Sequence, residues 1–494
     1  MKKIAVIGSG FSGLSAAAFL AQQGHHVSVF EKNSSLGGRA RVFTAQGFKF
    51  DMGPSWYWMP EIFDRFFKKL GADVNALLEL QRLDPAFSAY FGLGDYWEIP
   101  DDETKLINLF ESTEYGAGQK LENLLERAAF NYHMVMKDVI FKSGEKISEY
   151  CDPLLIYHSL KFNIFKSFAS HTRSQFSDPR LLRILEFPIL FLGGTPQNIP
   201  ALYTIMNYAG HSLGTWYPTG GLNSLINAMV HVARNLNVQI HENANVTGIN
   251  IESGTATSLR VDGENIDVDY VVAAADYHHV EQKLLAPEWR RYTPSYWDKR
   301  VLAPSCLIFY LGIKGKIGSL RHHTLFFDQN FDRHLDAIYS EARWPANPLF
   351  YVCCPSKSDA TVAPPDCENL FILVPIAAGL ENSHSEHERI FQNITARFAH
   401  LTGHDIRPRI VFKRTYSVNE FANDYNAFKG NAYGLANTLK QTALMKPKMK
   451  SKKVRNLYFA GQLTVPGPGV PPSLISGEIA ANLVKEAIEN EITI

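Results

Sequence analysis

Short apolar runs of strand length recur along the chain, separated by turn residues and by stretches whose apolar positions fall at helical spacing. The first run, Ile4 to Ile7, leads into Gly8, Gly10 and Gly13, and then into a segment where Leu14, Ala17, Ala18 and Ala21 are small or apolar. This predicts a strand, a glycine turn, a helix and a second strand ending at Glu31. Ile62, Phe63, Phe66, Phe67 and Leu70 predict a core-facing helix that Gly71 stops. Phe87 to Phe91 and Tyr96 to Ile99 read as strands of a second sheet, and residues 118–205 read as mostly helical. Leu222, Leu225, Ile226, Met229, Ala233 and Leu236 mark an amphipathic helix. Strands follow at Val238 to Ile240, Val246 to Ile251 and Ser258 to Val261, with a buried strand spanning Asp267 to Asp276. The strand pattern returns at Cys306 to Ile313, Thr324 to Phe327, Leu349 to Cys353, Leu370 to Pro375 and Arg409 to Arg414. One helix interrupts it, with Ile390, Ile394, Phe398 and Leu401 on one face. The chain closes with a strand, Asn456 to Gln462, then VPGPGVPPSLISGEIAANLVKEAI: turn, turn, helix.

Alternating strands and helices that resume after a long insertion predict an α/β fold with a discontinuous first domain. At 494 residues the chain exceeds one hydrophobic core, so two or three domains are expected. The 49 basic and 49 acidic residues cancel, leaving no global field to attract nucleic acid. Five scattered cysteines without CxxC spacing suit a reduced, cytoplasmic chain without a disulfide framework or zinc site. The histidine pairs His25-His26, His278-His279 and His322-His323 carry no metal expectation, because no Cys, Asp or Glu completes a ligand set in the sequence. MKKIAVIG imitates the start of a signal peptide, but the glycines interrupt it and it reads as the first strand.

The chemistry begins at those glycines. Gly8 permits a tight turn, Gly10 lets backbone approach a pyrophosphate, and Gly13 allows the helix to pack on the strand. The helix N-terminus offers N–H groups to phosphate, and Glu31, eighteen residues after Gly13, suits an unphosphorylated ribose. Arg39, behind Gly37 and Gly38, is a natural pyrophosphate contact. Asp276 at a strand end reads as a helix cap.

Pro153 to Phe176 contains no acidic residue, while Lys161, Lys166 and Arg173 alternate with Leu154, Leu155, Phe162, Phe165 and Phe168. Such a segment suits a membrane interface, with aromatics buried in lipid. A core helix with surface lysines is the alternative.

GSGFSG with Glu31, the LGGRA loop, the DMGPS strand end, the WYPTGG turn, VVAAAD and NLYFAGQLTVPGPGVPPSLISGEIAA together resemble the bacterial and fungal type of phytoene desaturase, carotenoid desaturases of the flavin amine oxidase superfamily. The resemblance covers essentially the whole chain. It implies an FAD site drawn from Gly8, Gly10, Phe11, Ser12, Gly13, Glu31, Lys32, Gly38, Arg39, Gly53, Pro54, Ser55, Trp56 and Asp276. Val246 would offer its backbone to the adenine. Gly461 and Gln462 would lie near the ribityl phosphate, and Gly469, Val470, Pro471 and Ser473 near the isoalloxazine. Where such enzymes commonly carry a histidine and a glycine in the last turn, this chain has Val465 and Pro472. No catalytic acid or base is assigned.

The resemblance further implies three parts: a Rossmann-like FAD-binding domain (1–75, 215–290 and 446–494), an α+β substrate domain (76–117 and 291–445) and a helical membrane-associating region (118–214). The expected reaction moves a hydride from an allylic carbon of phytoene or a related acyclic carotene to the flavin, toward zeta-carotene, neurosporene or lycopene. A membrane quinone or oxygen would reoxidise the flavin, with the protein peripheral on the cytoplasmic face of the inner membrane. The alternatives are a carotenoid isomerase, a desaturase of hydroxylated or C30 carotenoids, and a non-enzymatic isoprenoid carrier of the GDP-dissociation-inhibitor type. An amine oxidase fits less well, since no cysteine follows Cys367.

Overall fold

A computed structural model describes residues 1–151, 166–438 and 440–492. The apolar run at the start becomes the centre of a five-stranded sheet. Its order is Leu457–Phe459, Tyr270–Ala273, Lys3–Ile7, His26–Phe30, Gln239–His241, and every pair is parallel. A parallel sheet is covered on both faces, which explains why its three inner and adjoining strands, Ile4 to Ile7, Tyr270–Ala273 and Leu457–Phe459, are continuously buried, while the edge strand Gln239–His241 is partly exposed. One face carries the Phe11–Gln22, Leu222–Asn235 and Val470–Ile492 helices, and the other carries the antiparallel sheet Val246–Glu252, Thr255–Val261, Glu264–Asp267. Two glycines set the helix packing. A methyl group on Gly13 would lie 1.9 Å from the Gly8 carbonyl oxygen, and one on Gly477 would lie 2.2 Å from the Ser12 oxygen.

The second sheet has seven strands in the order Ile410–Tyr416, Ser305–Lys314, Cys367–Ile376, Phe350–Cys353, His323–Phe326, Phe87–Gly92, Asp95–Ile99. It is antiparallel apart from the pair His323–Phe326 and Phe87–Gly92. The His384–Thr402 helix packs Ile390, Phe391, Ile394 and Phe398 onto one face.

One expectation needs correction. The strand expected over Asp267 to Asp276 is divided: Glu264–Asp267 joins the antiparallel sheet and Tyr270–Ala273 the parallel one. Asp269, between them, accepts a 2.6 Å bond from the Lys3 backbone N–H and turns the chain from one sheet to the other. Of the segment Pro153 to Phe176, expected at a membrane interface, residues 153–165 lie outside the described part. In the remainder, Phe168 is buried inside the protein with Ile189, Leu192 and Ile199, and Phe176 packs edge-on against Phe110. Arg173 grips the fully buried carboxylate of Glu186 at 2.6 and 3.0 Å and reaches Asp332 at 3.1 Å. Phe168, Arg173 and Phe176 thus have partners within the protein, from Glu186, 13 residues from Arg173, to Asp332, 159 residues away. Among the described residues no helix is long and apolar enough to cross a membrane.

Candidate active site

The carboxyl ends of Lys3–Ile7 and Tyr270–Ala273 lie side by side where strand order reverses, the place at which open α/β sheets bind ligands. A cleft of about 160 Å³, open to solvent, lies there. Gly8 turns at φ +99°, and the Phe11–Gln22 helix starts at Gly10 without a side-chain cap, so its first N–H groups face the cleft uncompensated. Nothing lies within 4 Å of where a Cβ on Gly10 would be, which leaves the backbone open to a ligand.

Glu31 is buried and accepts four bonds, from the Ser9 N–H (3.1 Å) and hydroxyl (2.7 Å) and from the Asn33 N–H (2.9 Å) and amide (2.8 Å). Opposite, Arg39 donates to the Asn431 carbonyl at 3.3 Å and lies 5.1 Å from the Tyr425 ring centroid, while its Nε has no partner. A guanidinium with an unused donor facing a cleft suits a phosphate. Asp276 caps the chain that follows: it accepts from the His279 N–H at 3.1 Å and the Phe428 N–H at 3.2 Å, and burial pushes its carboxyl up to about 6.

Gly8, Gly10, Phe11, Ser12, Glu31, Lys32, Gly38, Arg39, Val246, Asp276, Gly461, Gln462 and Ser473 all line this cleft, although strands separated by more than 400 residues contribute them. Gly13 stands behind it as packing. The Lys32 ammonium turns away to the Asn423 carbonyl and Asn426. Gly469 (φ +117°) accepts from the Ser473 N–H at 3.0 Å and opens the closing helix, while Val470 and Pro471 form its first turn outside the cleft lining.

Gly53, Pro54, Ser55 and Trp56 lead elsewhere. Gly53 packs on the Arg39 carbonyl, and Gly53 and Ser55 line a separate cavity of about 20 Å³ with Asp51, His322 and Cys353. Ser55 meets the Tyr351 hydroxyl at 3.0 Å, the same hydroxyl meets His323 Nδ1 at 2.6 Å, and Trp56 stacks on His323 at 4.0 Å. Here the expectation for the histidines is corrected: a neighbouring strand brings Cys353 within 4.8 Å of both His322 and His323. Burial holds His322 down to about 3 and His323 well below its ordinary value, so both rings are neutral.

Sequence reasoning missed Asp424, Tyr425 and Asn426, which close the cleft from the second sheet's side. Asp424 accepts from Arg41 at 2.6 Å and from the Tyr416 hydroxyl at 2.9 Å. Asn426, in a left-handed turn at φ +52°, was the available signal.

The chain belongs to the flavin containing amine oxidoreductase family, whose profile matches residues 11–485. The fold is shared with an oxidoreductase from Methanosarcina mazei (TM-score 0.63, 17% identity, 96% of this chain and 99% of that one) and with cyclohexylamine oxidase from Brevibacterium oxydans (TM-score 0.60, 15% identity, 99% of each). Within the family it is a member of the carotenoid desaturase group, an FAD-dependent oxidoreductase acting on CH–CH bonds. It is 39% identical to carotenoid 3,4-desaturase from Haloarcula japonica over 486 residues, 98% of each chain. It is also 30% identical to a 4,4'-diapophytoene desaturase from Staphylococcus haemolyticus (99% of each) and 29% identical to a zeta-carotene-forming phytoene desaturase from Myxococcus xanthus (97% and 93%).

Proposed function

We propose that this protein desaturates a lipophilic acyclic carotene, phytoene or a close relative, by loss of hydride from an allylic carbon and of a proton from the carbon beside it. The observation that carries the reading is the likeness to a carotenoid 3,4-desaturase along nearly the whole chain. FAD, when bound, supplies the hydride acceptor. The chain's own residues hold it: the N–H groups after Gly8 and Gly10 and the Arg39 guanidinium meet the pyrophosphate, Glu31 the ribose, Val246 the adenine, and the turn from Gly461 to Ser473 the ring. On this reading 1–75, 215–290 and 446–494 bind FAD, 76–117 and 291–445 bind substrate, and 118–214 meets the membrane. A quinone or oxygen takes the electrons. Incubating the FAD-loaded protein with phytoene in liposomes tests this: a longer polyene absorbance is expected, and none from any acyclic carotene sinks it.

A second reading, a hydroxylated carotene, is favoured by one pair of residues. Asn207 and His211 are buried one turn apart, with His211 6.2 Å from the Phe87 ring and Gly210 between them against Trp58, and none of their four polar side-chain atoms has a partner. Burial lowers His211 to about 4, leaving a neutral ring with one donor and one acceptor. A hydroxyl satisfies such groups and a hydrocarbon does not. Turnover of paired hydroxylated and unsubstituted substrates decides between them, and equal rates count against this reading.

A further inference from the structure

Among the described residues one group of three metal-ligating side chains comes together, and it lies apart from the nucleotide cleft. One ring nitrogen of His322, one of His323 and the Cys353 sulfur all lie within 4.8 Å of one another, and all three residues are buried. Strand register explains the meeting. His323 and Cys353 stand directly opposite in the antiparallel pair of the His323–Phe326 and Phe350–Cys353 strands, so their side chains leave the same face. His322 precedes the strand in a bend, and its ring comes to the same side, with the two imidazole centroids 4.5 Å apart.

Both rings are held as ligating imidazoles are held. His322 Nδ1 meets the Ser358 hydroxyl at 2.9 Å, and His323 Nδ1 meets the Tyr351 hydroxyl at 2.6 Å, which in turn meets Ser55 at 3.0 Å. Trp56 stacks on His323 at 4.0 Å and Tyr217 packs on His322 at 4.6 Å, which fixes the ring planes. The Nε2 atom of each ring is buried and has no partner. An imidazole anchored through one nitrogen and unsatisfied at the other is how proteins orient a metal ligand. Left to itself, such a pair keeps two polar atoms buried and unpaired, which is destabilising. Beside the group lies the cavity of about 20 Å³, lined by His322, Cys353, Asp51, Tyr217 and Asn369 among others. That is room for one water. The Asp51 carboxyl on its wall accepts from the Leu222 and Asn223 N–H groups at 2.9 and 3.2 Å. A doubly charged cation on one thiolate keeps a positive charge, and this carboxylate opposes it.

We propose that His322, His323 and Cys353 bind one Zn²⁺, with a water from the adjoining cavity in the fourth position. Two imidazoles and a thiolate suit zinc, whose tetrahedral sites take nitrogen and sulfur ligands. On binding, the Cys353 S–H bond breaks, its electron pair goes to the metal–sulfur bond and its proton to solvent, with no change in oxidation state. The ion ties two strands of the second sheet to one another and to the 53–56 segment that packs on them through Ser55 and Trp56. The proposal stands independently of the carotene reading.

The test uses the full-length FAD-loaded protein, stripped with a chelator and titrated with Zn²⁺ alone. Wild type should retain about one zinc per chain through gel filtration. The zinc K-edge absorption fine structure should show one sulfur at about 2.3 Å and nitrogen or oxygen at about 2.0–2.1 Å. Ser358→Ala removes a partner of a ligand and should weaken binding about 10- to 100-fold, and Cys353→Ser should weaken it by more. Cys354→Ser changes the neighbouring buried cysteine, which packs on the other face of the strand, and should bind as wild type does. Zinc should raise the melting temperature of wild type and not that of Cys353→Ser. A wild type that retains no zinc, or zinc without a sulfur neighbour, overturns the proposal. Equal binding by wild type and Cys353→Ser overturns it too, and assigns the ion to the surface. If Cys353→Ser does not fold, the wild-type zinc spectrum and the Ser358→Ala titration decide. Uptake of Cu⁺ with refusal of Zn²⁺ overturns the choice of ion.

Discussion

Glu31→Gln is the most informative single change at the cleft. The wild-type carboxylate accepts from four donors at 2.7 to 3.1 Å while only 5% exposed. An amide keeps one oxygen, so one side of the group turns from acceptor to donor. The Ser9 hydroxyl can rotate and accept, but a backbone N–H cannot, so either Ser9 or Asn33 is left with a buried, unpaired donor. That costs about 1–3 kcal/mol, and the bonds that remain lose their charge-assisted strength. We expect a total loss near 3 kcal/mol in the flavin-free protein, together with FAD affinity weakened at least about tenfold because a ribose acceptor is gone. Urea unfolding without flavin and calorimetric FAD titration read the two effects separately. Wild-type stability would refute the hydrogen-bond accounting. Lost stability with unchanged FAD affinity would refute the ribose assignment and leave Glu31 as a structural tie between Ser9 and Asn33.

Two further outcomes are expected. Burial pushes Glu281 up to about 7 against the opposing N–H bonds of Arg291 (2.9 Å) and Tyr292 (3.2 Å). Because the folded value is raised, its contribution is fully present below about 4.5 and is lost as pH rises through about 7. Relative to Glu281→Gln, the wild type should therefore lose roughly 3 kcal/mol across that window, and parallel denaturation curves would contradict this. Arg173→Met leaves Glu186 with Arg183 alone (2.7 Å), so stability should fall by about 3 kcal/mol without any selective loss of liposome binding. Lost lipid binding at unchanged stability would return Arg173 to the membrane.

What was legible in the sequence was what local pattern determines. The Ile4 to Glu31 unit, the strands of both sheets and the closing helix all announce themselves by period and by turn residues, since a strand buried on both faces has to be apolar and a pyrophosphate turn has to be glycine. Pairings across long sequence distances were hidden. Nothing near Arg173 indicates that Glu186 and Asp332 wait for it, so its segment reads as a lipid-facing surface. Nothing in His322-His323 indicates Cys353, which the strand register delivers. Asp424 to Asn426 reach the cleft from the end of the Val418–Tyr425 helix, which follows the edge strand Ile410–Tyr416 of the second sheet.

The central claim is that electrons leave a carotene for the flavin held between the opening strand and the closing helix. Anaerobic mixing of the FAD-loaded protein with phytoene, or with its hydroxylated or C30 relatives, in liposomes tests it most directly. Bleaching of the flavin absorbance in step with a longer polyene chromophore is predicted. A flavin that stays oxidised with every carotene, or one that bleaches only with an amine, would contradict it.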